Sequence, residues 1–163
     1  MIFRTNKYYL LILLAAFIVG GCGNSSGNYE EIESSASTES SSVDTGVFVA
    51  VGTSGIILTS QDGITWTTQT SGTSNSLVGI TYGNGTFVAV NPNGIILTST
   101  DVTSSWHPRT SGTTNDLNGV TYGNSTYVSV GNSGTIITSS NGTSWSSRTS
   151  GTTETLQGVT YKE

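Results

Sequence analysis

The side chains of this 163-residue sequence that could perform acid–base or metal chemistry are few and scattered. Glycoside hydrolysis requires two convergent carboxylates, yet the five acids after residue 45 fall mostly in predicted turns or at the chain end. They are Asp62, Asp101, Asp116, Glu154 and Glu163. His107 is the only histidine and has no nearby cysteine, so it cannot form a metal cluster by itself. The sequence therefore predicts no catalytic residue, no metal and no cofactor.

The distribution of charge excludes one class of partner. After residue 22, three basic residues (Arg109, Arg148 and Lys162) stand against ten acidic ones. A protein that binds nucleic acid needs clustered lysines and arginines to displace counterions from the phosphates. These three are far apart in the sequence, so we expect no nucleic-acid partner.

The N-terminal segment has the pattern of an export signal. Two basic residues, Arg4 and Lys7, precede an apolar run at residues 8–19, which is the order found in secretory signal peptides. The run is short for a bilayer span, which needs about 20 apolar residues. We therefore interpret residues 1–21 as a signal peptide that is removed on export.

Cys22 indicates how the exported chain is held. Residues 19–22, Val-Gly-Gly-Cys, resemble the bacterial lipobox, in which a peptidase cuts before a cysteine that carries a diacylglyceryl group. Cys22 is the only cysteine, so no internal disulfide can form. The resemblance implies a lipid anchor at Cys22 in the cell envelope, at the outer membrane in a Gram-negative organism. An ordinary signal peptide and an uncleaved anchor are the alternatives.

The segment that follows the lipobox does not have the composition of a folded domain. Residues 22–45 are rich in Ser and Glu and contain almost nothing that could be buried. Folding could not offset the chain entropy of such a stretch. We interpret it as a disordered tether between the lipidated cysteine and the rest of the chain.

The remaining residues repeat. Trp66, Trp106 and Trp145 are spaced 40 and 39 residues apart, and aromatic residues before and after them keep the same spacing. A fixed period near 40 residues indicates a repeat architecture. The predicted domain covers residues 46–163, in units 46–82, 83–122 and 123–163.

Each period of about 40 residues predicts four antiparallel strands, for example at residues 117–122, 126–131, 135–139 and 144–149. The segments Phe-Val-Ala-Val and Ile-Ile-Leu are apolar at consecutive positions, so both faces of each sheet must be covered. Stacking the small sheets face to face achieves this, and four strands per period of about 40 is typical of a propeller. The predicted fold class is all-β: three four-stranded antiparallel propeller-type blades.

The turn before each tryptophan resembles the Asp-box hairpin, S-x-D-x-G-x-T-W, of neuraminidase-type repeats. The first copy is one residue shorter, the second lacks the glycine, and the third has Asn in place of Asp. The residues that carry the resemblance are Ser60, Asp62, Gly63, Thr65 and Trp66; Ser99, Asp101 and Trp106; and Ser139, Asn141, Gly142 and Trp145. We expect the short Asp or Asn side chain to accept backbone N–H groups across the turn, with the Trp packed beneath it.

The wider resemblance is to Asp-box propellers, including sialidase-like domains and photosystem II assembly-factor-like proteins. A sialidase needs an arginine triad, whereas Arg109 and Arg148 occupy equivalent positions on successive outer strands. Loops such as residues 111–116 should form one rim rich in hydroxyls and amides, suited to a polypeptide or a glycan. We expect a non-catalytic binding or assembly-scaffold lipoprotein. The alternatives are a glycan-processing, sialidase-like fragment and a nonfunctional remnant of a longer propeller.

Three blades are fewer than the four or more of a closed propeller. The first unit begins at its second strand, at residues 46–52, and a spare first strand is predicted at residues 156–161. Two copies arranged head to tail could form a six-bladed homodimer in which each terminal strand completes the other copy's first blade. An open three-blade stack is the alternative.

Overall fold

In the computed structural model, residues 46–103 and 105–163 are described. The predicted signal peptide, Cys22 and the tether lie outside these residues, so those predictions stay predictions. No helix in the described part of the chain has the length and apolar character needed to cross a bilayer.

The described residues form three antiparallel sheets in which each strand pairs with the next one along the chain. The first sheet contains β1 (Phe48–Val51), β2 (Ile57–Ser60) and β3 (Thr67–Gln69). The second contains β4 (Gly79–Gly83), β5 (Thr86–Val90), β6 (Ile95–Ser99) and β7 (His107–Thr110). The third contains β8 (Leu117–Gly123), β9 (Thr126–Gly131), β10 (Ile136–Ser139) and β11 (Ser146–Arg148). Single 3-10 turns at Thr53–Gly55 and Asn132–Gly134 connect the second and third strands of the first and last repeats. The predicted all-β, blade-type fold is confirmed.

The second and third sheets begin with hairpins of two-residue loops. Gly83 pairs with Thr86 and Gly123 with Thr126. Asn84 has a φ of 44° and its neighbour Gly85 a φ of 72°, as a type I′ turn requires at both central positions. Asn-Gly adopts this turn readily because neither residue is strongly disfavoured at positive φ.

The consecutive apolar residues of the inner strands are buried on both faces of the second sheet. On β5, Ala89 belongs to the core shared with the first sheet, whereas Val88 and Val90 belong to the core shared with the third sheet. On β6, Leu97 and Ile96 divide in the same way. Successive side chains of a strand point to opposite faces. A strand with apolar residues at consecutive positions therefore has apolar side chains on both faces, and each face must be covered by a neighbouring sheet.

The first strands of neighbouring blades approach very closely at glycines. A Cβ atom added to Gly79 would lie 3.5 Å from the Gly119 Cα, and one added to Gly119 would lie 3.2 Å from the Gly158 Cα. Four residues further along, a Cβ at Gly83 or Gly123 would overlap with the ring of Tyr122 or Tyr161, respectively. Glycine at these positions lets the strands converge.

The first sheet and the end of the chain differ from a complete blade. The first sheet has three strands because its β1 corresponds to the second strand of the other two sheets. The strand predicted at residues 156–161 belongs to no sheet among the described residues. A strand is stabilised by hydrogen bonds to a neighbouring strand, and within one copy residues 156–161 pair with no strand of the described residues.

Candidate functional site

The hairpin between β2 and β3 is organised by one carboxylate. The Asp62 Oδ1 atom accepts hydrogen bonds from the backbone N–H groups of Ile64 and Thr65, each at 2.8 Å, and from the Ser60 hydroxyl at 2.9 Å. The backbone N–H groups of Thr65 and Ile64, followed by the Ser60 hydroxyl, lower the pKa of Asp62 from 3.8 to about 2. All three donors belong to the hairpin itself, so this carboxylate is used to hold the hairpin.

The third repeat makes the same arrangement without a charge. The Asn141 Oδ1 atom accepts the backbone N–H groups of Thr143 at 2.9 Å and Ser144 at 3.0 Å. The Ser139 hydroxyl accepts the N–H of Gly142 at 2.8 Å, as the Ser60 hydroxyl does in the first repeat. An amide oxygen therefore replaces a carboxylate oxygen with no change in the hairpin.

The second repeat has a looser version of this turn. The Asp101 carboxylate accepts the backbone N–H and the hydroxyl of Thr103, both at 2.9 Å through Oδ1. The Ser99 hydroxyl bonds to the carbonyl groups of Asp101 and Ser105 at 2.6 and 3.2 Å. Without the glycine of the other repeats, the longer turn closes through a serine and two carbonyl groups.

The three repeated tryptophans do not occupy equivalent environments. Trp106 is 7% exposed, and Trp145 is half-buried with its indole N–H donated to the Gly142 carbonyl at 3.0 Å. The Trp106 Nε1 atom is buried and has no hydrogen-bond partner among the described residues. Trp66 is 41% exposed, and Phe48, which also belongs to the first repeat, is 58% exposed.

At the opposite end of the sheets from these hairpins, each repeat carries a cleft. The three clefts have volumes of about 710, 910 and 840 Å³ from the first repeat to the third. Each lies between the loop joining the second and third strands and the segment that leads from the outer strand to the next blade. The lining segments include 53–56 with 68–74, 93–95 with 108–115, and 133–135 with 147–153. We call this row of clefts the rim. The loops that line it are the ones that the sequence predicted to lie together at one edge of the sheets.

The rim is held rigidly. The Gly134 N–H donates to the Glu154 carbonyl at 2.8 Å. The Ser150 hydroxyl donates to the Thr152 carbonyl at 3.0 Å and accepts the Thr152 N–H at 3.3 Å. A Cβ on Gly134 would overlap with the Thr152 carbonyl oxygen, and its φ is 66°, so only glycine fits there. Ser71 and Ser111 make the same pair of bonds in the other repeats.

Two of the three clefts carry a cation. The Arg109 Nε atom donates to the Thr98 hydroxyl at 2.9 Å, and the Arg148 Nε atom donates to the Thr138 hydroxyl at 2.8 Å. In the first repeat Gln69 takes the same place and donates to Thr59 at 3.0 Å. In each case the threonine hydroxyl on the neighbouring strand holds the guanidinium of the arginine, and the arginine side chain lines the cleft. A guanidinium is suited to paired hydrogen bonds with a carboxylate.

The carboxylates considered for catalysis do not form a cluster with other ligating groups. Among residues 46–103 and 105–163, no three His, Cys, Asp or Glu side chains are placed to hold a metal ion. The Asp116 Oδ2 atom accepts a hydrogen bond from the Asn132 side chain at 3.0 Å. His107 lies exposed on β7. Arg109 and Arg148 lie on the outer strands of separate sheets.

Sequence reasoning missed one buried polar contact. The Tyr127 side chain is fully buried, and its hydroxyl donates towards the carbonyl groups of Gly83 and Thr86 on the neighbouring sheet. Burial, followed by the nearby Tyr122 hydroxyl, raises the pKa of Tyr127 above its ordinary value. The signal was present in the repeat, since Phe48 and Phe87 occupy the equivalent positions. A hydroxyl on one of three equivalent rings indicates a partner specific to that position.

The fold is similar to that of solved β-propeller proteins. A structure described as YCF48 bound to D1 peptide matches with a TM-score of 0.55 and 18% identity, over 64% of this chain and 38% of that chain. YCF48 from Cyanidioschyzon merolae matches with a TM-score of 0.51 and 23% identity, over 61% of this chain and 32% of that one. The resemblance to photosystem II assembly-factor-like repeats therefore holds at the level of the fold. The chain spans well under half of either protein's length. No family model and no curated protein matches the sequence.

Proposed function

We propose that this protein is a non-catalytic scaffold that binds a segment of another protein along its rim. The observation that carries the proposal is the row of three equivalent, rigid clefts on one edge of the sheets, lined by hydroxyl and amide groups. A segment of extended polypeptide offers backbone carbonyl and N–H groups and side chains at regular intervals, which matches a row of repeated clefts whose walls carry both hydroxyl groups and apolar surface. One protein of similar fold has been solved with a bound peptide.

The charge of the rim defines what the bound segment should contain. Arg109 and Arg148 line neighbouring clefts, and the corresponding residue of the first repeat is the neutral Gln69. A segment with carboxylate side chains opposite the second and third blades would form charge-assisted hydrogen bonds there. We therefore propose an acidic peptide segment as the preferred ligand, in preference to a neutral glycan.

The replacement of both arginines by glutamine tests this function without disturbing the rim. Glutamine already makes the equivalent bond to a threonine hydroxyl in the first repeat, at 3.0 Å, so Arg109→Gln and Arg148→Gln should keep the local structure. We expect capture of partner proteins from solubilised membranes to fall markedly in the double variant and to weaken with salt in the unaltered protein. Identical capture by both proteins at every salt concentration would refute the proposal.

The Gln69→Arg variant provides the matched control in the opposite direction. It places a third guanidinium at the equivalent position of the first cleft, and we expect it to strengthen capture of the same partner. A partner that elutes with a free neutral oligosaccharide, and is insensitive to all three substitutions, would favour glycan binding instead.

We further propose that the scaffold acts at a membrane surface through lipid at Cys22. The lipobox-like residues 19–22 support this, together with the Ser- and Glu-rich stretch that separates them from β1. A Cys22→Ser variant should fail to incorporate a labelled fatty acid and should retain residues 1–21, because the lipobox peptidase cuts only before a lipidated cysteine. Labelling that persists in the variant would contradict this anchor.

A further inference from the structure

Two edges in the described part of the chain are complementary and unpaired. β1 pairs with β2 on one side, and no strand of the described residues lies on its other side. Residues 156–161, Leu-Gln-Gly-Val-Thr-Tyr, have nearly the sequence of the first strands of the second and third blades, and belong to no sheet. One blade thus lacks a first strand, and one segment with the sequence of a first strand lacks a blade.

The terminal segment is already placed as a first strand would be. The Leu156 N–H donates to the Gly131 carbonyl at 3.0 Å, just as Leu117 donates to Asn91 at 3.3 Å one repeat earlier. The Asn118 side chain donates to the Leu156 carbonyl at 3.0 Å. Together with the close approach of Gly119 to Gly158, these contacts set the segment against β8 as β8 lies against β4.

We propose that residues 156–161 of one copy pair with β1 of a second copy and complete its first blade. The register follows from the second blade, where Tyr82 lies opposite Phe87 and Gly79 opposite Val90. The corresponding pairs between copies are Tyr161 with Phe48, Thr160 with Val49, Val159 with Ala50, and Gly158 with Val51.

The pairing accounts for the exposed aromatic residue on β1. Phe87 has the ring of Tyr82 at 4.5 Å, and Tyr127 has the ring of Tyr122 at 4.6 Å. Phe48, at the equivalent position, is 58% exposed. Tyr161 of a second copy would cover it in the same way, while hydrogen bonds between the strands satisfy the open edge of β1.

The number of blades selects a dimer. Propellers typically close with about 4–8 blades. The three sheets formed by residues 46–103 and 105–163 make six in two copies, whereas a ring from these residues of one copy would have too few and a ring from three copies too many. Two head-to-tail junctions in a six-bladed ring leave neither β1 nor residues 156–161 unpaired.

One residue departs from the repeat at this junction. Gly83 and Gly123 lie beneath the rings of Tyr122 and Tyr161, but the residue after Tyr161 is Lys162. The ring of the second copy's Tyr82 therefore cannot lie over Lys162 as Tyr122 lies over Gly83, and it must turn aside. We expect Lys162→Gly to remove this obstruction and tighten the dimer.

A substitution at Gly158 tests the inference. A Cβ at Gly158 meets no atom within 4 Å in a single copy. In the ring, Gly158 would face Gly79 of the second copy as closely as Gly79 faces Gly119, so Gly158→Val should clash only between copies. We expect the full-length protein in mild detergent to be dimeric by light scattering after correction for detergent, and Gly158→Val to be monomeric with an unchanged circular dichroism spectrum.

Gln157→Val is the matched control, because valine occupies the equivalent position 78 of the first repeat. This variant should remain dimeric. A monomeric unaltered protein, or a Gly158→Val variant that dimerises as strongly as Gln157→Val, would overturn the inference.

A disulfide between copies tests the register and does not depend on the Gly158 variant folding. Cysteines at Ala50 and Val159 would lie opposite each other on one face of the new sheet, within reach of a disulfide after small adjustment. We expect the Ala50→Cys, Val159→Cys protein to run as a covalent dimer after mild oxidation. The unaltered chain, which keeps Cys22, should not run as a covalent dimer. The same is expected of an Ala50→Cys, Thr160→Cys control, in which the two thiols lie on opposite faces of the sheet. Equal cross-linking in the control, or none in the matched pair, would overturn the register.

Discussion

Replacing Tyr127 by phenylalanine would isolate a single buried hydrogen bond between the second and third blades. The repeat shows that phenylalanine fits, because Phe87 holds the equivalent position and packs against Tyr82 as Tyr127 packs against Tyr122. The ring contacts should therefore survive. The variant loses the hydroxyl that donates a hydrogen bond to the Gly83 carbonyl. The same hydroxyl also lies 3.2 Å from the Thr86 carbonyl.

The size of the loss follows from burial. Tyr127 is 0% exposed, so water cannot replace the hydrogen bond that its hydroxyl donates to the Gly83 carbonyl. A buried group that loses its partner typically costs about 1–3 kcal/mol. Only one proton is donated, so we expect Tyr127→Phe to lower the free energy of unfolding by about 1–2 kcal/mol. The midpoint of thermal unfolding should fall by roughly 4–8 °C for a domain of this size.

The assay is equilibrium unfolding followed by tryptophan fluorescence at one fixed protein concentration, because any association between copies would shift the midpoint. Tyr122→Phe is the control, since the Tyr122 hydroxyl makes no hydrogen bond within the described residues. It should unfold at nearly the same midpoint as the unaltered protein. If Tyr127→Phe also unfolds there, the hydroxyl contributes nothing and the reasoning is wrong.

The remaining predictions concern the hairpins and the rim. The folded pKa of Asp62, about 2, lies below its ordinary 3.8, so its charged form stabilises the fold above pH 3.8 and this stability is lost as pH falls through 2. Asp62→Asn should keep the turn, as Asn141 does, and flatten acid unfolding monitored by circular dichroism between pH 4 and pH 2. Gly134→Ala should cost about 1–3 kcal/mol more than Gly151→Ala in urea unfolding, because both have positive φ but only Gly134 has a Cβ that meets the Thr152 carbonyl; equal costs would contradict the overlap.

Much of the fold could be predicted because its determinants are local or periodic. The spacing of Trp66, Trp106 and Trp145 identified the repeat, and consecutive apolar residues on β5 and β6 required two covered faces. The Asn-Gly loop between β4 and β5 is favoured by its own backbone preferences. None of these needs knowledge of a distant residue.

The candidate site was predictable only in outline. The rim loops could be assigned to one edge from strand order, but the threonine hydroxyls that hold Arg109 and Arg148 lie 11 and 10 residues earlier on the neighbouring strand. That pairing depends on strand register, which a one-residue slip would abolish. The unequal burial of the tryptophans was missed for a related reason: similar motifs acquire different surroundings because only the second sheet is covered on both faces.

The sequence by itself determined the repeat, the strands and the turns, since side-chain alternation and positive-φ residues act over a few positions. The tertiary structure alone decided that Tyr127 reaches the Gly83 carbonyl, that glycines bring successive first strands together, and that Phe48 is left uncovered. These features arise from contacts between residues about one repeat apart. Their geometry depends on how the sheets stack, and no local preference along the chain encodes it.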